Sequence, residues 1–515
     1  MPTPPPSLTP PDAAAQQRPT EIRSYRLPDP FLLGIVGSVI LALSSFGGGA
    51  SRNRGGILDA WNIGVLAFGH GRNIMMFLFW VGLFLLVAAW ILAGYQLFVE
   101  KRGVNVHRLL LGWLTPLAFA GPLASRDVYS YLMQGAMVRD GFDPYSEGAT
   151  VNPGPFLLEV SHDWRNTTTP YGPLHLWVGE GVTTIVGDNV ALGIIVYKII
   201  SLAGFAMITW AVPRLARALG GDEKLALWLS VANPVLILHL VGGMHNESIM
   251  VGLVSIGLVM ILRHDVLGCA GGLALIGLAV AYKATAFIAV PFVVWIMLNH
   301  LAPREASSVA QRLGAFVVAG FIAVAEIIAA VAAVTWMSGS SWGWISEISG
   351  NSKIINPLAV PTLLADSVVP IAKVFNPEFS YNQTLSFFRG IFVVLMLVGL
   401  VTVWWLFRKN DREAIAGTAA AYQVAFLFNS VTLPWYYASV ITLLGVFSPS
   451  RLVTKIAVGA SVFLALAFSG DGNHQLYNWW WIIGTVALGW WAAETLFPHP
   501  AADEAPASSA KTAAA

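Results

Sequence analysis

The chain has 515 residues, of which 56% are hydrophobic and only 11% charged, with a mean hydropathy of +0.66; a soluble globular protein is excluded at that composition. The formal net charge is +1, and Lys and Arg fall in short clusters between apolar runs, which excludes nucleic acid as a partner. Cys269 is the single cysteine, so an intrachain disulfide and a thiolate metal cluster are excluded as well.

Residues 1–30 are rich in Pro and Ala, lack apolar periodicity and read as a disordered cytoplasmic tail. The apolar stretch from Phe31 to Phe46 comes late and lacks a small-x-small cleavage pattern, so it reads as a retained helix. Over residues 31–497, apolar runs long enough to approach the roughly 20 residues that cross a bilayer predict an all-α polytopic membrane protein. About fourteen transmembrane helices (range 12–14) are expected, starting near residues 31, 74, 108, 190, 224, 247, 266, 284, 310, 386, 413, 432, 452 and 478. The lipid bilayer is thus the first predicted partner. Residues 498–515 are Ala-rich and read as a second disordered cytoplasmic tail.

With the N-terminus in the cytoplasm, alternate loops carry 14 cations, from Lys101 and Arg102 through Arg451 and Lys455, and the tails bring the total to 18 of 29 Lys plus Arg. None lies in the short loops around Met244, Thr432 and Asn473 on the other side, which is the positive-inside asymmetry and places both termini in the cytoplasm. Two long loops, 124–189 and 338–385, then lie outside. The first holds Trp164, the turn Thr169-Pro170-Tyr171-Gly172-Pro173 and the apolar run Leu174 to Val178, consistent with one or two interfacial helices. In the second, Trp342, Trp344, Pro357, Pro361 and Pro370 predict short interfacial helices broken by prolines.

The first outer loop opens with Arg126-Asp127-Val128-Tyr129-Ser130-Tyr131. Asp127 stands about one helical turn past an apolar segment, where a carboxylate is held at the water interface without full burial in hydrocarbon. Arg126, Tyr129, Tyr131 and Arg139 surround it with cationic and aromatic groups suited to a phosphate and a sugar. A solvated loop with aromatic anchors accounts for this stretch equally well. On the same side fall His245-Asn246-Glu247, Lys283, Pro434-Trp435-Tyr436-Tyr437 and Asp471-Gly472-Asn473-His474. Their ordinary readings stay open: an aromatic belt for Trp435, a snorkelling lysine for Lys283, a hydrophilic turn for Asp471 and His474. Lys198 and Glu326 lie inside candidate spans, where a charge is a functional hypothesis by default.

Six fragments then occur in a telling order: Arg126 to Tyr131, Asp140-Gly141-Phe142-Asp143-Pro144-Tyr145, Pro170-Tyr171-Gly172-Pro173-Leu174, Ala232-Asn233-Pro234, His245-Asn246-Glu247 and Pro434-Trp435-Tyr436. Together they resemble actinobacterial polyprenol-phosphate-mannose-dependent α-(1→6)-mannopyranosyltransferases, most nearly the MptB type, from about Leu33 to Trp490. The resemblance implies a GT-C fold with the catalytic aspartate in the first external loop, a position that Asp127 matches. It implies a donor, polyprenyl-phosphate mannose, and an acceptor, a mannosylated glycolipid whose α-(1→6) mannan backbone is extended as in lipomannan and lipoarabinomannan. The implied place is the bacterial plasma membrane, with the site on the extracytoplasmic side.

Given such a donor, whose mannosyl phosphate is β-linked, an α-linkage requires inversion by a single displacement with one carboxylate removing the acceptor proton. Asp127 is the candidate base. Lys283, Arg126 and His245 are candidates for the donor phosphate, and Tyr129, Tyr131, Asn246, Glu247, Tyr171, Trp435 and Tyr436 for sugar and acceptor. Asp127 has no adjacent acidic partner, so neither an obligate divalent metal nor another cofactor is expected. A GT-C transferase of another lipid-linked sugar, a transporter of lipid-linked glycans and a non-catalytic scaffold are the alternatives. A transporter predicts a site at the bilayer midplane, whereas this polar inventory gathers at the outer rim.

Overall fold

Helices begin where the sequence puts a short polar side chain ahead of an apolar run. The Asp29 carboxylate accepts the Phe31 N–H at 2.9 Å and opens the first helix; Asn105, Asn189, Asp265, Ser380, Asn410, Ser450 and Asn478 cap theirs in the same way. Ser308 and Gln311 form a reciprocal capping box.

The computed structural model describes residues 27–350 and 354–498, so the two predicted tails lie outside the described residues except at their inner ends. The chain runs through α1 (Pro30–Gly48), α2 (Gly69–Val99), α3 (Val106–Ala118), α4 (Asp127–Arg139), α5 (Pro173–Val186) and α6 (Val190–Ala218). A bent pair follows, α7 (Glu223–Val231) and α8 (Pro234–Gly242), then α9 (Glu247–Ile261), α10 (Val266–Tyr282), α11 (Ala284–Leu301) and α12 (Val309–Met337). The chain ends with α13 (Val360–Phe375), α14 (Tyr381–Leu406), α15 (Asp411–Phe428), α16 (Ala438–Leu444), α17 (Arg451–Ala465) and α18 (Trp479–Leu496).

Each predicted apolar run is helical. Length and apolarity suffice for a membrane crossing in five helices, α2, α6, α11, α12 and α14, and the α7–α8 pair makes a sixth. The apolar helices α9 and α10, and the apolar part of α1, are shorter than 18 residues, so helix length does not bear out a count of fourteen. The α7–α8 bend of 41° falls at Asn233-Pro234. Proline supplies no N–H to the preceding turn, and Asn233 mends the break: its side chain accepts the Val235 N–H at 2.9 Å and donates to the Leu229 carbonyl at 2.9 Å and to Ser461 Oγ at 2.8 Å.

Close helix crossings use glycine pairs. A Cβ on Gly37 of α1 would lie 2.8 Å from the Gly82 carbonyl of α2, and one on Gly257 of α9 2.8 Å from that of Gly272 in α10, the small-residue contact that lets apolar helices associate without a hydrophobic driving force between them. Gly135 of α4 meets Gly179 of α5 in the same manner, which locks the first long loop into a packed unit. In the second long loop the prolines do less than expected. Pro361 starts α13 and Pro370 sits inside it without ending it.

Candidate active site

Asp127 is the first residue of α4, where the unpaired N–H groups of a helix start favour a carboxylate. Its own N–H donates to Ser125 Oγ at 3.1 Å, and its Oδ2 lies 3.3 Å from Nδ1 of His245. Burial by itself would raise the Asp127 carboxyl; the adjoining imidazole of His245 and its charge, then the charge of Lys283 and the Ser125 hydroxyl, bring it below the ordinary value of 3.8.

His245 belongs to the turn between α8 and α9, made possible by Met244 at φ 56°. It is fully buried, stacked on Trp435 with ring centroids 3.7 Å apart, and His239 of α8 stands 5.6 Å from the same indole. From the next two positions, Asn246 Oδ1 accepts from Lys283 Nζ at 3.1 Å and the Glu247 carboxylate pairs with the same ammonium. Lys283 caps the end of α10 and lies 4.7 Å from the Tyr436 ring and 5.4 Å from that of Tyr171. Those two rings, with Asp127 and Trp435, wall a narrow cleft of about 40 Å³; Lys283 stands one layer behind them. The structure therefore brings together Asp127, His245, Asn246, Glu247, Lys283, Tyr171, Trp435 and Tyr436. Tyr131 packs edge-on behind Tyr171 at 5.6 Å.

Arg126 and Tyr129 face elsewhere. Nε and Nη2 of Arg126 donate to the Glu159 carbonyl at 3.1 and 2.8 Å, Nη1 donates to the Ser51 carbonyl at 2.7 Å, and Nη2 pairs with Glu159 Oε2 at 3.2 Å. Tyr129 lies under this guanidinium at 4.7 Å and its hydroxyl donates to the Ala50 carbonyl at 2.8 Å. This knot ties the α1–α2 connection to α4. Its geometry corrects the expectation that Arg126 binds phosphate and Tyr129 binds sugar, because the donors of both are engaged away from the cleft. Arg139 is likewise remote, paired with Asp140 and Asp188 at the far end of α4. Asp471 holds Arg72 at 2.9 Å in a surface turn.

Several residues of the site were not singled out by sequence. Ser130 and Gln134 line the cleft on the same face of α4 as Asp127, at the i, i+3, i+7 spacing of a helix, which was a usable signal. His175 of α5 stands 4.5 Å from Tyr171 and 4.8 Å from Tyr131; burial first and the Lys283 charge second push it down to about 3, so it is neutral. Glu159 and His239 carry no local pattern that would mark them. Among the described residues, no three His, Cys, Asp or Glu side chains converge in a way that could hold a metal ion.

Residues 31–299 match the family described as alpha-(1→6)-mannopyranosyltransferase, N-terminal domain, and residues 361–497 match the MptB C-terminal domain. Alpha-(1→6)-mannopyranosyltransferase A of Corynebacterium glutamicum is 54% identical over 474 residues, which cover 89% of this chain and 96% of that one. Its namesake in Mycobacterium tuberculosis is 36% identical over 466 residues, covering 90% and 89%. Alpha-(1→6)-mannopyranosyltransferase B of Corynebacterium glutamicum is 27% identical over 437 residues, covering 79% and 70%. Within these relatives the likeness leans to type A, whereas the motifs alone point to the MptB type; fragments so short do not separate the two. An Archaeoglobus fulgidus oligosaccharyltransferase structure overlaps 79% of this chain and 53% of its own at a TM-score of 0.33 and 15% identity, too slight a likeness to carry an argument.

Proposed function

Because this chain belongs to the α-(1→6)-mannopyranosyltransferase family and is a mannosyltransferase, we propose that it moves mannose from polyprenyl-phosphate mannose to the 6-hydroxyl of a mannosylated glycolipid acceptor. The product is an α-(1→6) mannan backbone of the lipomannan and lipoarabinomannan kind. The enzyme works in the bacterial plasma membrane as a multi-pass GT-C protein, with both termini in the cytoplasm and the cleft on the extracytoplasmic side. The observation that carries the reading is the 3.3 Å approach of His245 Nδ1 to the Asp127 carboxylate at the wall of an aromatic cleft.

In the proposed step the acceptor 6-oxygen attacks the mannosyl C1 from the face opposite the phosphate, and its proton passes to Asp127 as the new bond forms. The C1–O bond to phosphate breaks, and the electron pair leaves with the lipid monophosphate. Lys283, behind Tyr171 and Tyr436, stabilises that growing negative charge; two of its three N–H donors are taken by Asn246 and Glu247, which fixes the ammonium in place beforehand. His245 aims Nδ1 at Asp127, so its assigned part is to support the base, with Trp435 holding the imidazole plane. Tyr171, Tyr436 and Trp435 offer ring faces and edges to the two sugars, with Tyr131 behind them.

The test is a reaction of purified, detergent-solubilised protein with polyprenyl-phosphate mannose and a short α-mannoside, the product linkage being read by NMR. A new α-(1→6) bond is expected. Product from another lipid-linked sugar, with none from the mannosyl lipid, would reassign the donor.

A further inference from the structure

Lys198 lies within α6, 4% exposed, in a helix long and apolar enough to cross a membrane. A charge in that setting is costly, and its partners decide what it does. Among the described residues no carboxylate pairs with it. Its Nζ instead donates to the Val241 carbonyl at 2.7 Å and lies 3.4 Å from that of Gly242. These are two of the carbonyls that the C-terminal end of α8 leaves without helical partners, at the negative end of its dipole.

Four contacts connect this cap to the site. The Gly242 carbonyl also accepts the Leu123 N–H at 3.1 Å, and Leu123 opens the short segment that leads to Asp127. The His245 N–H donates to the His239 carbonyl at 3.3 Å, so the turn bearing His245 hangs from the same end of α8. Farther along α6, the Ser201 hydroxyl donates to the Leu240 carbonyl, and a Cβ on Gly204 would sit 2.5 Å from the Ser248 carbonyl carbon. One face of α6 thus holds the end of α8 and the start of α9.

We propose that Lys198 is a positioning residue whose ammonium clasps the carbonyl end of α8 and so keeps the Asp127 segment and the His245 turn in register. The role rests on the reading of Asp127 as the base. An ordinary helix cap would add stability and nothing else; a positioning residue also governs the Asp127–His245 distance, which the pH dependence of transfer reports.

Lys198→Met removes charge and donors and keeps the aliphatic bulk. In folded protein, kcat should fall about 10-fold or more, since displacements of about 1 Å at a reacting centre have effects of this size or larger. The acid limb of the rate should also move to higher pH, because Asp127 stays partly buried while its hold on His245 loosens. In an Asp127→Asn background, Lys198→Met should lower the residual rate no further, as expected of two residues acting through one group. Lys198→Arg, which keeps donors, should recover part of kcat. An unmoved limb together with a further loss in the Asp127→Asn background would overturn the proposal. Should Lys198→Met not be recovered folded, the limb is read on Lys198→Arg and Ser201→Ala, and an unmoved limb in both has the same force. Normal turnover by Asp127→Asn alone would instead remove the base and leave the assignment of the reaction to be revised.

Discussion

Asp127 opens α4 and His245 lies in the turn between α8 and α9, yet Oδ2 of one lies 3.3 Å from Nδ1 of the other. The pairing has a consequence for pH. Burial pulls the carboxyl up, while His245 and Lys283 more than offset it and hold it below the ordinary value. A base of this kind is ionised at neutral pH and loses activity as pH falls through its folded-state pKa, so the rate should stay level from neutral into mildly acid solution. His245→Gln leaves burial less opposed, and the limb should then shift upward. Initial rates against pH for both proteins decide the matter, and coincident limbs would remove His245 as the partner.

Asp127→Asn retains the shape of the side chain and cannot accept the proton. Transfer should drop about 10²-fold or more, with an unchanged thermal midpoint in detergent. Near-normal turnover would reject Asp127 as the base.

For Lys283 the structure changes the experiment that sequence suggests. Lys283→Met strands the Glu247 carboxylate, whose side chain is 1% exposed, and breaking a buried pair costs about 3–5 kcal/mol. Loss of protein in that variant would say nothing about phosphate. The combined variant Lys283→Met with Glu247→Gln leaves neither partner of this pair charged; it should fold, yet show weaker donor affinity and a slower rate when lipid-linked mannose is titrated at matched protein. Restored rates in the combined variant would take Lys283 out of the mechanism.

Arg126→Met should act on stability. It breaks the pair with Glu159, whose side chain is 2% exposed but keeps Arg52 at 3.8 Å and the Asn53 N–H at 2.6 Å, so the loss is that of charge-assisted hydrogen bonds, on the order of 2 kcal/mol; the thermal midpoint should fall while donor affinity in the remaining folded protein holds. Glu159→Gln should behave alike. A donor titration displaced by Arg126→Met at normal stability would return Arg126 to the phosphate site.

Sidedness is open to a labelling experiment. With Cys269 replaced by Ala, a cysteine at Ser340 or Asn473 should react with an impermeant thiol reagent in intact cells whose outer barriers admit it, and one at Asn410 should not. The reverse pattern would put the cleft in the cytoplasm, where a soluble sugar nucleotide becomes the natural donor.

The positions of the helices were legible because apolar runs and capping residues are local features, and Asp127, His245 and Lys283 were legible because polar groups at helix ends in an apolar chain stand out. Partners were not. Arg126 looks like a phosphate ligand beside Asp127, and its engagement with Glu159 depends on a fold-back of more than thirty residues. Trp435 reads as a belt residue from its neighbours, yet it is 4% exposed and stacked on His245. Helix length does not bear out the span count for a related reason: hydropathy reports apolarity, whereas α9 and α10 are apolar helices shorter than 18 residues.

The clasp of Lys198 on α8 bears on how the chain enters the bilayer during synthesis. The carbonyls that answer its ammonium lie 43 and 44 residues downstream. Until they emerge, α6 carries an unanswered charge in its interior, and release of that helix alone into lipid is opposed by a few kcal/mol, on the order of 3. The helix should therefore wait at the insertion machinery and depart together with α7 and α8 as one unit. The register of the His245 turn would on this account be set at birth, before the last third of the protein has been translated.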